Sequence, residues 1–265
     1  MNHNINSIKR TLRVLAYICR QKNGVRVTEV AKAFNMSSPA IYNYLKNMLM
    51  EGYIYKDQLT NRFRAAYKIV DLASVVMGNN EITEITYSTL FQLSEKLNTV
   101  VHLAIKEGDL AICVSKIGSS DAIPSITRVG MSFELYPTAL GKAILAFLPK
   151  EDLEEYLERT ELIPYTDNTI TSKEKLREEL SITKVRRYAL DLLGEHRLGL
   201  HAIGVPIFDY TNHVIGSISI PFFGNMKEAE INRLFSIVHE SALEISKILG
   251  NQHLFQDNIP EQDED

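Results

Sequence analysis

Cysteine is scarce in this chain, with 2 in 265 residues. Cys19 and Cys113 fall in separate predicted domains, each on an apolar face. They are expected as reduced core thiols, not as a disulfide or a paired-cysteine metal site. No stretch reaches the roughly 18 consecutive apolar residues of a membrane helix. The opening residues, MNHNINSIKR, lack the apolar core of a signal peptide. A cytoplasmic chain with no membrane contact is the expectation. G-x-S-x-G, H-E-x-x-H, G-x-G-x-x-G and paired-cysteine motifs are all missing, which leaves the common hydrolase, metalloprotease, dinucleotide and redox chemistries without a signature. His102, His196, His201 and His213 stand on different predicted elements at no ligand-like spacing, so neither metal nor cofactor is expected.

What is present is unevenly charged. The net charge of −4 divides into 12 Lys/Arg against 4 Asp/Glu in residues 1–75, and 17 against 29 in the remainder. A basic first quarter on an acidic body points to a polyanion-binding module joined to something else. At about 150 residues per domain, the length suggests two domains.

The basic quarter contains RVTEVAKAFNMSSPAIYNYLKNMLMEG from Arg26 to Gly52. Val27, Val30, Ala31 and Phe34 have helical spacing, Asn35-Met36-Ser37 breaks it, and Ser37 or Ser38 with Pro39 opens a second helix. That helix is expected to bury Ile41, Leu45, Met48 and Leu49, and to show Ser38, Tyr42, Asn43, Lys46 and Asn47 outward. Two short helices on a three-residue turn form a helix-turn-helix, whose second helix enters the DNA major groove. Gly52–Tyr55 and Arg62–Arg64, separated by Leu59-Thr60-Asn61, read as a hairpin placed where a wing belongs. Double-stranded operator DNA is the expected partner. Ser37, Ser38, Tyr42, Asn43 and Lys46 are the candidates on the recognition helix, with Arg62 and Arg64 as phosphate ligands at the wing.

Around this motif the spacing predicts an amphipathic helix from Ser7 to Arg20, with Ile8, Leu12, Leu15, Ala16 and Cys19 on one stripe. A connecting helix follows over Tyr67–Met77, then a flexible joint at Gly78-Asn79-Asn80. The expected units are 1–67, a connector and hinge over 68–80, a second domain over 81–250, and an acidic, disordered tail over 251–265. In the second domain, helices are expected at Glu81–Leu97 (Ile82, Ile85, Leu90, Leu93 and Leu97), Pro137–Ala146, Asp152–Leu157 and Lys227–Leu249. Thr171-Ser172-Lys173-Glu174 reads as a capping box opening another, to about Val185. Strands are expected at Thr99–Ile105, Leu110–Ile117, Ile126–Val129, Leu200–Phe208 and Val214–Pro221, with a loop over Gly118–Pro124. This is an α+β arrangement of an antiparallel sheet with grouped helices.

With both halves read, the chain resembles the IclR family of bacterial transcriptional regulators over nearly everything from Ser7 to Leu249. The resemblance rests on the winged helix-turn-helix order ending in Leu49-x-x-Gly52-Tyr53-Ile54 and on Gly130 with Pro137-Thr138-Ala139-Leu140-Gly141-Lys142-Ala143. It also rests on Arg187-Tyr188-Ala189-Leu190-Asp191, Gly199–Ile207 and the strand ending Ile218-Ser219. It implies a GAF-like domain that senses a small molecule, often an organic acid, and dimers or tetramers on partly palindromic operators. It places effector contacts at Ala139, Gly141, Lys142, Ala143, Asp191, Ala202 and Ser219. Three departures stand out: Ala65-Ala66 after the wing, Gly194-Glu195 where the family has paired acids, and Ser219-x-Pro221 where it has Ser-x-Ser.

The residues themselves leave alternatives open. Ala139–Ala143 offers either free N–H groups for an anion or close helix–sheet packing. Asp191 accepts a ligand hydroxyl or caps a turn, and Ser219 donates to a ligand or sits satisfied in a strand. A small-molecule enzyme on the sheet domain and a non-sensing DNA-binding assembly protein are the rival classes. The basic winged unit argues against the first.

Overall fold

The structure, a computed structural model, describes residues 2–78, 81–118, 127–192, 194–222 and 226–251, with side chains from residue 7 on and none at 76–81. Two compact units result, Met1–Asn80 and Glu81–Asp265.

In the first unit, α1 (Asn2–Cys19), α2 (Val27–Phe34) and α3 (Ser38–Met50) precede a hairpin of β1 (Ile54–Lys56) and β2 (Phe63–Ala65) and then α4 (Lys68–Gly78). Val14, Ile18, Val30, Ile41, Leu45, Met48, Ile54 and Phe63 close one core. α1 contributes Val14 and Ile18, not the stripe expected from spacing. Ile8 and Leu12 are 64% and 61% exposed, and the Cys19 thiol is exposed too. Apolar residues occur on more than one side of this helix, so periodicity did not identify which side would be covered. For the same reason Leu49, expected in the core, is exposed.

The second unit builds one antiparallel sheet. Its strands are β3 (Val101–Glu107), β4 (Leu110–Ile117), β5 (Ser132–Glu134), β6 (Ala189–Asp191), β7 (His201–Phe208) and β8 (Val214–Phe222), in the order β5-β4-β3-β8-β7-β6. α5 (Glu81–Leu97) and α9 (Glu228–Ile248) cover one face, where Val101, Leu103, Val205, Ile207, Ile218 and Ile220 meet Leu90, Leu93, Val238 and Ile245. α6 (Ala139–Leu145), α7 (Lys150–Arg159) and α8 (Lys173–Arg186) form a second core with Ala104, Ala111, Tyr136, Tyr156, Leu176 and Val214. The α+β class follows from this order.

Local differences from the sequence reading have local causes. The third strand lies at Ser132–Glu134, not at Ile126–Val129: Val129 and Gly130 form a turn, and Met131 and Gly130 bond Cys113 ahead of the strand. Ile126, the loop over 119–124, the hinge residues Asn79-Asn80 and the tail from 252 lie outside the described residues. The cap of α8 is Ser172, whose hydroxyl accepts from the Lys175 N–H, not Thr171. Ile85 faces outward while Thr86 and Thr89 are buried, Thr86 donating to the Ile82 carbonyl.

Candidate functional site

On the first unit, Asn35 turns the chain through a left-handed conformation (φ 51°) and Ser37 begins α3 in extended backbone, with Pro39 in the first turn. Ser37 makes no side-chain cap bond. Ile41, Leu45 and Met48 hold the underside of α3, which leaves Ser38, Tyr42, Asn43 and Lys46 in solvent on the other side. The wing pairs Tyr55 with Arg64 and Lys56 with Phe63. Its turn is set by Asp57, whose carboxylate accepts from the N–H groups of Leu59 (3.0 Å) and Thr60 (2.9 Å). These bonds hold the Asp57 carboxyl below its ordinary range.

An open cleft of about 890 Å³ runs between recognition helix and wing, lined among others by Arg26, Tyr42, Lys56, Thr60, Asn61 and Arg62. Two of the residues expected to hold phosphate are engaged inside the unit. Arg62 grips the Glu29 carboxylate with distances of 2.8 and 2.7 Å, and Arg64 stands 3.5 Å from Asp57. Both fasten the wing, Arg62 by tying it to α2. The sequence reading omits Arg26 and Lys56, which are exposed on the same cleft. Their signal was charge alone, and charge gives no direction until the strand register is known.

On the second unit, α6 is buried along all seven residues. Thr138 caps it, its hydroxyl accepting from the Gly141 N–H at 3.1 Å. A Cβ on Gly141 would lie 2.0 Å from the Leu135 carbonyl oxygen, and one on Gly204 of β7 would lie 2.2 Å from that of Ala139. The small residues therefore let helix, preceding loop and sheet approach backbone to backbone. Ser217 completes the seam by donating to the Leu140 carbonyl at 2.8 Å.

Lys142 is 1% exposed, ion-paired with Glu195 and 3.9 Å from Glu179. Glu195 follows β6 and is held on both sides. Its N–H donates to the Asp191 carboxylate at 2.9 Å, and its carbonyl accepts from the Thr169 hydroxyl at 2.6 Å. Burial pushes the Asp191 and Glu195 carboxyls up against the opposing pull of Lys142, and one Glu195 oxygen (Oε2) is buried without a partner.

Sheet register gathers the remaining candidates. Asp191 stands opposite Ala202, and Ala202 opposite Pro221; Gly204 stands opposite Ser219, and Ser219 opposite His102. Ala202, Gly204, Ser219 and His102 thus share the sheet face on which α6 lies. Asp191 acts as a turn cap, and Ser219 is buried in its strand. The sequence shows His102 only as a lone histidine and Glu195 only as a departure from the family pattern, and nothing in it singles out Glu179; register puts His102 opposite Ser219, and the packing of α6 brings Glu179 and Glu195 to Lys142. Burial, assisted by Lys116, holds the His102 imidazole down at about 4. Among the described residues no group of three His, Cys, Asp or Glu is arranged to hold a metal ion, and no helix is long and apolar enough to cross a membrane.

Comparison with known proteins bears on both units. The model of the IclR helix-turn-helix domain matches residues 7–58, and that of the bacterial transcriptional regulator IclR C-terminal domain matches residues 74–247. The chain is 26% identical over 247 residues to the HTH-type transcriptional regulator XynR of Escherichia coli, covering 93% of this chain and 98% of that one. Identity to the regulator KdgR of the same organism is also 26% over 247 residues, with 93% of each covered. Among solved structures, the Thermotoga maritima IclR is 34% identical with a TM-score of 0.77, over 93% of this chain and 99% of that one. An IclR homologue from Microbacterium hydrocarbonoxydans, complexed with 4-hydroxybenzoate, shares the fold at 18% identity and a TM-score of 0.76, over 91% and 98% of the two chains.

Proposed function

The chain belongs to the IclR family of bacterial transcriptional regulators, and from that premise we propose that it binds partly palindromic operator DNA as a dimer or tetramer, with an affinity set by a small organic or sugar acid. It is a helix-turn-helix regulator with an effector-binding domain, and its relatives are named regulators, not enzymes.

The observation that carries the DNA reading is the solvent-facing side of α3. Ser38, Tyr42, Asn43 and Lys46 stand free of the core beside a cleft whose wall includes Arg26 and Lys56. Asn suits the adenine edge, and the cations suit phosphate. One such helix reads only a few base pairs, so useful specificity calls for two copies about 34 Å apart or a multiple of it. Exposed apolar side chains at Ile8, Leu12, Tyr67, Val70 and Val75 support association with a second copy. This reading puts the chain in the cytoplasm with DNA.

The acid effector is assigned to the face of the sheet that carries α6, among Ala139, Gly141, Lys142, Ala143, Asp191, Ala202 and Ser219. Lys142 is the cation of this face, buried and paired with Glu195, so an acid taken up here competes with that carboxylate, and the complex of the Microbacterium relative shows that an acid can be taken up by a protein of this fold. Bound in the second unit, the acid acts by favouring one arrangement of the paired winged units over another. The coupling is expected at about 1–3 kcal/mol and is reciprocal. The experiment is a thermal-shift screen with pyruvate, glyoxylate, gluconate and 4-hydroxybenzoate, followed by titration of the strongest binder with and without operator DNA. A 5- to 150-fold difference is expected. Equal affinity in the two titrations would leave the second unit as an assembly module only.

A further inference from the structure

Leu59, at the tip of the wing, is 96% exposed, more than any other large apolar residue among those described. A single apolar residue at a surface is ordinary, but the setting of this one is not. The turn that presents it is locked. The Asp57 N–H donates to the Arg62 carbonyl at 2.8 Å and the Asn61 N–H to the Asp57 carbonyl at 2.9 Å, while the Asp57 carboxylate takes the N–H groups of Leu59 and Thr60. Asn61 completes the turn in the left-handed conformation (φ 55°), which asparagine tolerates. Leu59 adds nothing to the core and is nevertheless held in place.

The tip is also without charge. Arg62 reaches back to Glu29 and to the Gly24 carbonyl, and Arg64 to Asp57 and the Lys22 carbonyl. The side chains left at the tip are Gln58, Leu59, Thr60 and Asn61, all exposed. A wing that gripped phosphate alone would carry a cation there. Leu59, Thr60 and Asn61 line the cleft that Tyr42 of α3 borders, and Arg26 and Lys56 line it too. A sugar-phosphate strand held by those cations divides the major groove from the minor. With α3 in the major groove on one side of that strand, the wing tip on the other side faces the minor groove.

We propose that Leu59 is a minor-groove wedge: its side chain enters a base step beside the bases that α3 reads, unstacks that step and kinks the duplex. This rests on the DNA reading above, with α3 in the major groove. Apolar side chains inserted in this way bend DNA by roughly 20–90° toward the major groove. Pyrimidine–purine steps open most readily, so the wing adds a sequence preference without a base-edge hydrogen bond from Leu59. Gln58 and Asn61 flank the wedge with amides suited to the acceptors of the minor groove.

The test uses a preferred duplex recovered for the full chain from a random pool and labelled at its ends with a fluorescent donor and acceptor. Energy transfer reads the bend, and electrophoretic titration reads the affinity. Binding should raise the transfer by the amount of a kink of about 20° or more. Leu59→Ala should abolish the kink and lower affinity for this duplex about tenfold, the size of one mismatched pair. Its thermal midpoint should stay that of the parent, because the side chain lies outside the core. Leu59→Met should keep the kink, and Lys56→Ala should weaken binding while the bound duplex stays bent. A straight duplex in the parent complex, or a kink that persists in Leu59→Ala, would overturn the wedge and leave the α3 reading standing. So would a Leu59→Ala chain that changes its oligomeric state but not the bend. Failure to recover any preferred duplex would overturn both.

Discussion

Helices α3 and α6 carry the two candidate sites and treat their polar residues in opposite ways. α3 buries Ile41, Leu45 and Met48 and leaves Ser38, Tyr42, Asn43 and Lys46 in solvent, whereas α6 buries every residue, a lysine among them. An exposed lysine such as Lys46 needs no partner and stands ready for one that arrives from outside. A lysine at 1% exposure must be neutralised within the fold, and Glu195 and Glu179 do this for Lys142. One helix presents its polar residues to solvent, and the other settles its charge inside the fold.

The contrast is sharpest if the same change is made in both helices. Lys142→Met strands Glu195 as a buried, unpaired carboxylate and should cost the second unit roughly 3–5 kcal/mol, measured by chemical denaturation of the full chain. Adding Glu195→Leu should return most of it. Lys46→Met should shift stability by less than about 0.5 kcal/mol. Equal losses in the two helices would break the comparison.

Acid should separate the two units almost as widely. His102 is depressed from 6.5 to about 4 by burial. Its contribution is therefore fully present above the ordinary histidine value and is lost as pH falls through that window, by roughly 3 kcal/mol in all. Asp191 and Glu195, raised by burial, oppose it: their contribution is fully present below the ordinary carboxylate range and is lost as pH rises through their raised values. The His102 share is therefore read by difference, from unfolding at several pH values in the protein and in His102→Gln. A pH profile unchanged by that substitution would contradict the burial account.

The sequence made α3 legible and α6 only half so, for a physical reason. A half-exposed helix alternates polar and apolar residues, and the alternation names its outer face, so Tyr42, Asn43 and Lys46 could be placed from spacing. A fully buried helix has no outer face. Its small residues spoke equally for an anion site and for close packing, and the close packing became visible only in three dimensions, where a Cβ added to Gly141 would lie 2.0 Å from the Leu135 carbonyl oxygen. Glu195 arrives at Lys142 from the loop after β6, and His102 comes to the same face from β3 by register with Ser219, which one strand's pattern does not contain. At the wing, spacing placed Arg64 on its strand, whereas Arg62 lies one residue ahead of it, and their partners Glu29 and Asp57 became visible only in three dimensions.

Smaller effects sharpen the division within the first unit. Arg62→Ala breaks the pair with Glu29 and should cost about 1 kcal/mol or less, because both groups are partly in water. Lys56→Ala should leave stability unchanged and lower the salt slope of DNA binding by about one. Denaturation and salt-titrated binding check the two, and an exchange of their effects would show that the wing cations are assigned the wrong way round.

The central claim is that the outer face of α3 reads bases. It is tested most directly by recovering a preferred duplex for the full chain from a random pool, then measuring the affinity ratio of that duplex to an unrelated one. The account predicts that Asn43→Ala collapses the ratio while binding to the unrelated duplex is retained. Equal loss on both duplexes, with the ratio intact, would contradict it.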